Sequence, residues 1–128
     1  MLVDNKHYRS IWRDIDNNEI KIIDQKLLPH KFIITSLNSI QEARDAIKNM
    51  AVRGAPLIGI TAAYGMALAM VNNNTDKDII HAGNLLKSSR PTAVNLAWAV
   101  DKISKCLLET TQSKRTNLAI NLADQMAE

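Results

Sequence analysis

Two hydropathy patterns divide the chain, with partial period-2 alternation before residue 37 and helical spacing of apolar residues after it. Ser10–Ile15 and Glu19–Ile23 both alternate, and the turn-forming residues Asp16–Asn18 separate them, so this stretch predicts a β-hairpin. Lys31–Thr35 predicts a third short strand. Together these segments predict a small antiparallel sheet within residues 1–36.

Five helices are predicted over residues 39–128. Ser39–Glu42 has a capping-box pattern, which marks the start of the first helix. The second helix should begin at Pro56, because proline suits the first helical position and pushes the preceding residue into extended geometry. This helix is apolar nearly all the way round up to Asn72–Asn74, so we expect it to be the buried central one. The last three helices are predicted to start near Thr75, Thr92 and Ser113.

The spacing of apolar residues also predicts the core. The expected core positions are Ile40, Ala43, Ile47 and Met50 in the first helix, Ile79, Ala82 and Leu86 in the third, Leu96, Val100, Ile103 and Leu107 in the fourth, and Leu118, Leu122 and Met126 in the fifth. The predicted fold is therefore α+β, with a sheet of about three strands followed by a bundle of about five helices. No stop signal follows Ala127, so we expect the last helix to continue and the chain to be part of a larger protein.

Composition narrows the class of protein. The net charge of +3 is spread among interspersed acidic and basic residues, which argues against nucleic-acid binding because that needs a concentrated basic face. One cysteine excludes an internal disulfide and is typical of a reducing compartment. The N-terminus has no signal-peptide core, and the longest apolar run is too short to span a bilayer comfortably. We therefore expect a cytoplasmic protein.

The segment Arg53-Gly54-Ala55-Pro56 has the residue types of a phosphate cradle. The free N–H groups of a helix start favour an anion, Gly54 allows a sharp turn, and the planar guanidinium of Arg53 matches two phosphate oxygens. The same residues also fit an ordinary helix start preceded by a solvated arginine. Arg90-Pro91-Thr92 repeats this order at the fourth helix, where Thr92 is expected to be the N-cap. Two arginines near two helix starts would hold a phosphate from two directions if those starts lie close together.

Three strings in this chain resemble the signatures of the methylthioribose-1-phosphate isomerases. They lie at residues 22–30, 50–65 (Met-Ala-Val-Arg-Gly-Ala-Pro-Leu-Ile-Gly-Ile-Thr-Ala-Ala-Tyr-Gly) and 89–96 (Ser-Arg-Pro-Thr-Ala-Val-Asn-Leu). These sugar-phosphate isomerases of methionine salvage are related to the α, β and δ subunits of eukaryotic initiation factor 2B. The resemblance extends over about residues 8–104 and implies four substrate-binding residues, Arg53, Gly54, Ala55 and Arg90.

The resemblance also implies that the catalytic residues lie outside this chain, because the family's catalytic cysteine and aspartate belong to a larger Rossmann-like C-terminal domain. Cys106 does not match the motif of that cysteine, and we interpret it as a packing or flanking residue. We interpret Asn95 and Trp98 as packing and helix-positioning residues. The histidines show no metal-ligand spacing, so neither a metal site nor a cofactor is predicted. We expect the chain alone to be inactive and the full-length protein to be a homodimer.

The implied reaction converts 5-methylthioribose 1-phosphate, an aldose phosphate, into 5-methylthioribulose 1-phosphate. Two alternatives stay open at this point. One is a ribose-1,5-bisphosphate isomerase, which performs the same class of reaction on a different sugar. The other is a non-catalytic regulatory subunit resembling initiation factor 2B, in which this region would be an interaction module.

Overall fold

The computed structural model describes residues 2–3, 6–7, 10–14, 19–27 and 30–127. It has the predicted α+β fold, with a three-stranded antiparallel sheet followed by five helices. The strands are β1 (Leu2–Val3), β2 (Lys6–His7), β3 (Ile11–Asp14), β4 (Glu19–Ile23) and β5 (Ile34–Leu37). The helices are α1 (Ile40–Lys48), α2 (Ala55–Asn72), α3 (Asp76–Lys87), α4 (Val94–Leu108) and α5 (Arg115–Ala127).

The sheet has the order β3–β4–β5 and confirms the predicted hairpin, although its predicted turn at residues 16–18 lies outside the described residues. The third strand was predicted three residues too early, at 31–35. In the observed register Leu37 pairs with Ile20, and both are buried, whereas Ile33 and Ile34 are each 40% exposed. The position of the strand is therefore set by the burial of Leu37 and not by the apolar run before it. A separate antiparallel pair, β1–β2, was not predicted.

Helix α2 is the buried centre of the bundle, as predicted. Seven consecutive residues, 61–67, are buried, so no face of the helix there meets solvent. The helix packs against all four other helices and also contacts β3. It begins at Ala55 and not at Pro56, because the carbonyl of Gly54 already accepts the first helical hydrogen bond, from the N–H of Ile58 at 3.0 Å. Pro56 lies within the first turn, where N–H groups have no partner inside the helix, so its missing N–H costs no hydrogen bond.

Side chains cap α1 and α3 as the sequence predicts. The Ser39 hydroxyl accepts a hydrogen bond from the N–H of Glu42 at 3.2 Å. Thr75 and Asp78 form a reciprocal capping box at α3. The side-chain and backbone hydrogen bonds from Thr75 hold the pKa of the Asp78 carboxyl below its ordinary value.

The prediction that Thr92 caps α4 is wrong. The helix begins at Val94, its N-cap residue is Ala93, and no side chain caps it. Arg90 to Ala93 instead form a turn, closed by a hydrogen bond from the Ala93 N–H to the Arg90 carbonyl at 3.0 Å. Pro91 occupies the second position of this turn, where its fixed φ is favourable, so the chain turns once before the helix starts.

The predicted core positions of α3 and α4 are all buried, but those of α1 and α5 need correction. Met50 is 44% exposed because it lies past the end of α1, with a left-handed φ of 66°. In α5 the predicted leucine row, Leu118 and Leu122, is only half-buried, and the fully buried positions are Ala119 and Ala123. Small residues there allow α5 to approach α2 closely, so the leucines lie beside the contact.

Arg115 is a buried cation that the sequence analysis did not single out. Its Nε donates to the carbonyl of Leu107 at 2.8 Å, and its Nη1 donates to the carbonyl of Asn74 at 2.9 Å. Its Nη2 lies 2.7 Å from Oδ1 of Asp76. One guanidinium thus joins the end of α4, the α2–α3 loop and the start of α3 to α5. The five donors of arginine make this possible where a lysine would offer three.

Asp124 joins the sheet, the central helix and the last helix. It accepts a bidentate interaction from Arg13 on β3, with Nη2–Oδ2 at 2.7 Å and Nε–Oδ1 at 3.1 Å. The Tyr64 hydroxyl on α2 donates to Oδ1 at 2.7 Å. Burial alone would raise the pKa of Asp124, but the hydrogen bonds from Arg13 and Tyr64 outweigh burial and hold this pKa below its ordinary value. The ionised carboxylate is therefore the form that the fold requires.

Replacement of Asp124 by asparagine should lower the free energy of unfolding and make it depend less on pH in acid. We expect Asp124→Asn to lower the free energy of unfolding at neutral pH by about 1–2 kcal/mol, since a charge-assisted pair is lost. A carboxyl with a lowered folded pKa stabilises the fold above its unfolded value, and that contribution shrinks as pH falls below about 4. Urea denaturation between neutral pH and pH 3 measures both effects. Asp101→Asn is the control, because Asp101 is exposed and Lys87 is its one ion-pair partner among the described residues. Equal losses in both variants would contradict the assignment.

Candidate phosphate-binding cleft

The loop before α2 turns sharply at Gly54. This residue has φ 96° and ψ 133°, a conformation that residues with a Cβ rarely adopt, and it is the N-cap of α2. Arg53 precedes it and is exposed, and Ala55 follows as the first helical residue. A Cβ added at Gly54 would meet nothing within 4 Å, so backbone conformation and not crowding accounts for the glycine.

The starts of α2 and α4 lie side by side. A Cβ placed on Gly59 would lie 3.4 Å from the carbonyl oxygen of Asn95 and 3.7 Å from the Cβ of Ala99, so the two helices are nearly in backbone contact. This close approach brings the segment after Arg53 and the segment after Arg90 to the same end of the bundle. That the two guanidinium groups converge on one ligand stays a prediction.

An open cleft of about 560 Å³ lies where these two helix starts meet the end of α5. Its lining residues are Ala55, Pro56, Gly59, Ile60, Val94, Asn95, Trp98, Ala99 and Met126. No charged side chain is among these described residues, and neither Arg53 nor Arg90 belongs to the lining. The cleft is therefore an apolar space beside two cationic loops.

Asn95 and Trp98, which we interpreted as packing and helix-positioning residues, are not packed in the core of the described chain. Their role in positioning the helix stays a prediction. Trp98 is 57% exposed, and Asn95 is exposed in the first turn of α4. Both line the cleft. The buried stripe of α4 runs through Leu96, Ala99 and Val100. Asn95 and Trp98 are not part of this stripe, and that register was the available signal. Lys102 lies over the Trp98 ring, with its Nζ 4.9 Å from the ring centroid.

Neither helix start at the cleft has a side-chain cap. Gly54 and Ala93 are the N-cap residues of α2 and α4, and neither provides a capping side chain, in contrast to Ser39 at α1 and Thr75 at α3. Backbone N–H groups in a first turn need a partner from outside the helix. The two adjacent starts therefore keep donors, and the positive ends of two helix dipoles, for an anion.

The arginines also differ in whether their side chains have a partner. Within the described part of the chain, three of the five arginines pair with carboxylates: Arg13, Arg44 and Arg115. The guanidinium groups of Arg53 and Arg90, which precede the two uncapped helices, have no hydrogen-bond or ion-pair partner among the described residues. Two unpaired cations beside an apolar cleft favour an anionic ligand with an apolar part.

Cys106 is on α4 and half-buried, and it is not among the cleft residues. Among the described residues, no group of three or more histidines, cysteines, aspartates or glutamates is arranged to hold a metal ion. None of the described helices is both long enough and apolar enough to cross a membrane.

Comparison with solved structures defines the class of protein by its fold. A translation initiation factor eIF-2B subunit delta from A. fulgidus superposes with a TM-score of 0.84 at 33% identity, over 94% of this chain and 36% of that one. A 5-methylthioribose 1-phosphate isomerase from Pyrococcus horikoshii OT3 superposes with a TM-score of 0.83 at 34% identity, over 94% and 36%. The sheet and five helices are thus a fold that these two differently named proteins share.

The sequence comparisons then show the family. The model of the initiation factor 2 subunit family matches residues 51–128, so the chain belongs to this family. A methylthioribose-1-phosphate isomerase of Rhodospirillum centenum is 48% identical over 128 residues, which is all of this chain and 34% of that protein. The chain spans about a third of the length of the curated relatives it matches.

Gly54→Ala should destabilise the loop before α2 without any steric clash. We expect a loss of about 1–3 kcal/mol in the free energy of unfolding, because alanine is strained at this φ. Gly59→Ala is the matched control on the same helix. It has an ordinary helical conformation and only van der Waals contacts, so it should stay within about 1 kcal/mol of wild type. Urea denaturation compares the two, and an equal effect of both substitutions would contradict the conformational role of Gly54.

Proposed function

We propose that this chain is the phosphate-binding part of an aldose–ketose isomerase that converts 5-methylthioribose 1-phosphate into 5-methylthioribulose 1-phosphate. The observation that carries the proposal is the pair of unpaired arginines, Arg53 and Arg90, that precede two adjacent and uncapped helices. The names of the relatives support the choice of reaction.

In this proposal the phosphate lies at the starts of α2 and α4. The N–H groups of the segment Gly54-Ala55 and the first turn of α4 donate to phosphate oxygens. Arg53 and Arg90 add charge-assisted hydrogen bonds from two loops. A dianion bound in this way is fixed in position as well as neutralised, because the donors come from two separate helices that are held in contact at Gly59.

The apolar lining favours a substrate with an apolar substituent over a bisphosphate. Pro56, Ile60, Val94, Trp98 and Met126 offer carbon and sulfur surface suited to a methylthio group. A second phosphate in the same space would be desolvated with no cation among the described lining residues to offset that cost. This contrast supports methylthioribose 1-phosphate over ribose 1,5-bisphosphate as the substrate.

The chemistry explains why such a holding site is needed. The substrate carries its phosphate on the anomeric oxygen, so its ring does not open as freely as that of an ordinary aldose. The protein must hold a dianion while acid–base groups act at C1 and C2. We assign the holding to this chain and the acid–base groups to a Rossmann-like C-terminal domain of the full-length protein, which we expect to be a cytoplasmic homodimer.

Arg53→Ala and Arg90→Ala in the full-length protein should each weaken substrate binding by about ten- to hundredfold, since a charge-assisted hydrogen bond to phosphate contributes about 1.5–3 kcal/mol. Arg44→Ala is the matched control, because Arg44 pairs with its neighbour Asp45 at 3.0 Å on α1. Titration with substrate measures all three variants. Wild-type affinity in both Arg53→Ala and Arg90→Ala would overturn the proposed phosphate site.

The 128-residue chain alone should have no isomerase activity, because the proposed acid–base groups are outside it. The measurement is conversion of 5-methylthioribose 1-phosphate by the purified chain, with the full-length protein as the positive control and ribose 1,5-bisphosphate as the competing substrate. Turnover by the chain alone would place the chemistry within these residues. A full-length protein that turns over neither sugar would favour the regulatory-subunit alternative, to which the similarity with an initiation factor subunit points.

A further inference from the structure

Asn95 differs from the other described residues that line the cleft, because its side chain is the only one among them that both donates and strongly accepts hydrogen bonds. The indole of Trp98 only donates, and the thioether of Met126 accepts only weakly. The amide of Asn95 offers two N–H donors at Nδ2 and an acceptor at Oδ1. Small-molecule sites with mostly apolar walls depend on a few polar groups of this kind to orient the ligand.

The structure leaves the Asn95 amide available to a ligand. Asn95 is exposed, and its side chain has no hydrogen-bond partner among the described residues. It is the second residue of α4, yet it does not cap this helix, whose N-cap residue is Ala93. Asparagine also stabilises a helix less than alanine does, so helix stability does not account for its presence.

The position of Asn95 is fixed by the contact between two helices. Its backbone carbonyl oxygen lies 3.4 Å from a Cβ placed on Gly59, so Asn95 lies where α4 meets α2 in the wall of the cleft. The helix starts are on one side of it along α4, and the apolar surface at Trp98 is one turn farther on. An amide placed here is between the groups that we assign to the phosphate and the surface that we assign to the methylthio group.

The sugar ring of the proposed substrate needs a partner of this kind. Its hydroxyls at C2 and C3 each donate one hydrogen bond and also accept. Arginine side chains and helix N–H groups only donate, so they cannot accept from these hydroxyls. An amide has its donor and its acceptor side by side in one plane. Its Oδ1 can therefore accept from one hydroxyl while its Nδ2 donates to the neighbouring one.

We propose that Asn95 is a specificity-determining residue that binds the C2 and C3 hydroxyls of the sugar ring. This inference rests on the proposed function and adds the part of the substrate that this residue contacts. The site then selects a ribose derivative over a deoxy sugar, because a ligand that lacks a hydroxyl leaves a desolvated donor or acceptor of the amide unpaired.

The test measures, in the full-length protein, how Asn95→Ala changes the affinity for 5-methylthioribose 1-phosphate and for its 2-deoxy and 3-deoxy analogues. Affinity is taken from KM or, for the 2-deoxy analogue, which cannot form a ketone at C2, from the competitive inhibition constant. We expect binding of 5-methylthioribose 1-phosphate to weaken by about tenfold, because the bonds to both hydroxyls are lost. Each deoxy analogue should lose only about threefold, since one of these bonds is already missing.

Asn84→Ala on α3 is the matched control. Asn84 is also an exposed helical asparagine whose side chain has no partner among the described residues, and it lies outside the cleft, so this variant should bind all three ligands like wild type. Asn95→Ala should keep the wild-type free energy of unfolding, which distinguishes a lost ligand contact from a damaged fold. An equal loss for all three ligands, or no loss for any of them, would overturn the inference.

The same titrations distinguish a failure of this inference from a failure of the proposed function. A wild-type protein that binds none of the three ligands would overturn both. Wild-type binding that is weakened by Arg53→Ala and not by Asn95→Ala would support the phosphate site and overturn the role of Asn95 alone.

Discussion

The burial of the central part of α2, residues 61–67, is the constraint on which the rest of the domain depends. A helix that is apolar on every side must be enclosed on every side, and α1, α3, α4 and α5 together supply that enclosure. Such close packing is possible because many residues at the helix contacts are small. Ala43 packs against Gly65, and Ala99 packs against Gly59. The first turn of α2 is exposed at Ala55 and Pro56. That end is therefore where its free donors meet solvent, beside the start of α4.

Much of this arrangement could be predicted from local residue chemistry. The caps of α1 and α3, the hairpin predicted from alternation, and the apolar stripe of α4 each depend on near neighbours in sequence. The errors arose where tertiary packing decided the outcome. Thr92 has the chemistry of a cap, but Pro91 starts a turn that delays the helix by two residues. In α5, the close approach to α2 selects Ala119 and Ala123 for burial and leaves the leucines half-buried.

The candidate site, like the fold, could be predicted only in part. The sharp turn at Gly54 could be predicted because glycine has a distinctive backbone requirement, and its φ of 96° meets that expectation. The cleft could not be predicted, because it arises where three elements distant in sequence meet, and Met126 contributes from the opposite end of the chain. The buried cation Arg115 was also missed, since its partners are mainly backbone carbonyls, which leave no trace in the sequence pattern.

The hydrogen bonds of Asp124 connect the N-terminal sheet to the C-terminal helix. Asp124 lies two residues before Met126 on α5. The carboxylate that binds Arg13 on β3 therefore also holds the part of α5 that lines the cleft. The N-terminal hairpin contributes no atom to the cleft lining among the described residues, yet it anchors the helix that borders it. Strand β3 thus stabilises the position of α5 beside the cleft through the ion pair between Arg13 and Asp124.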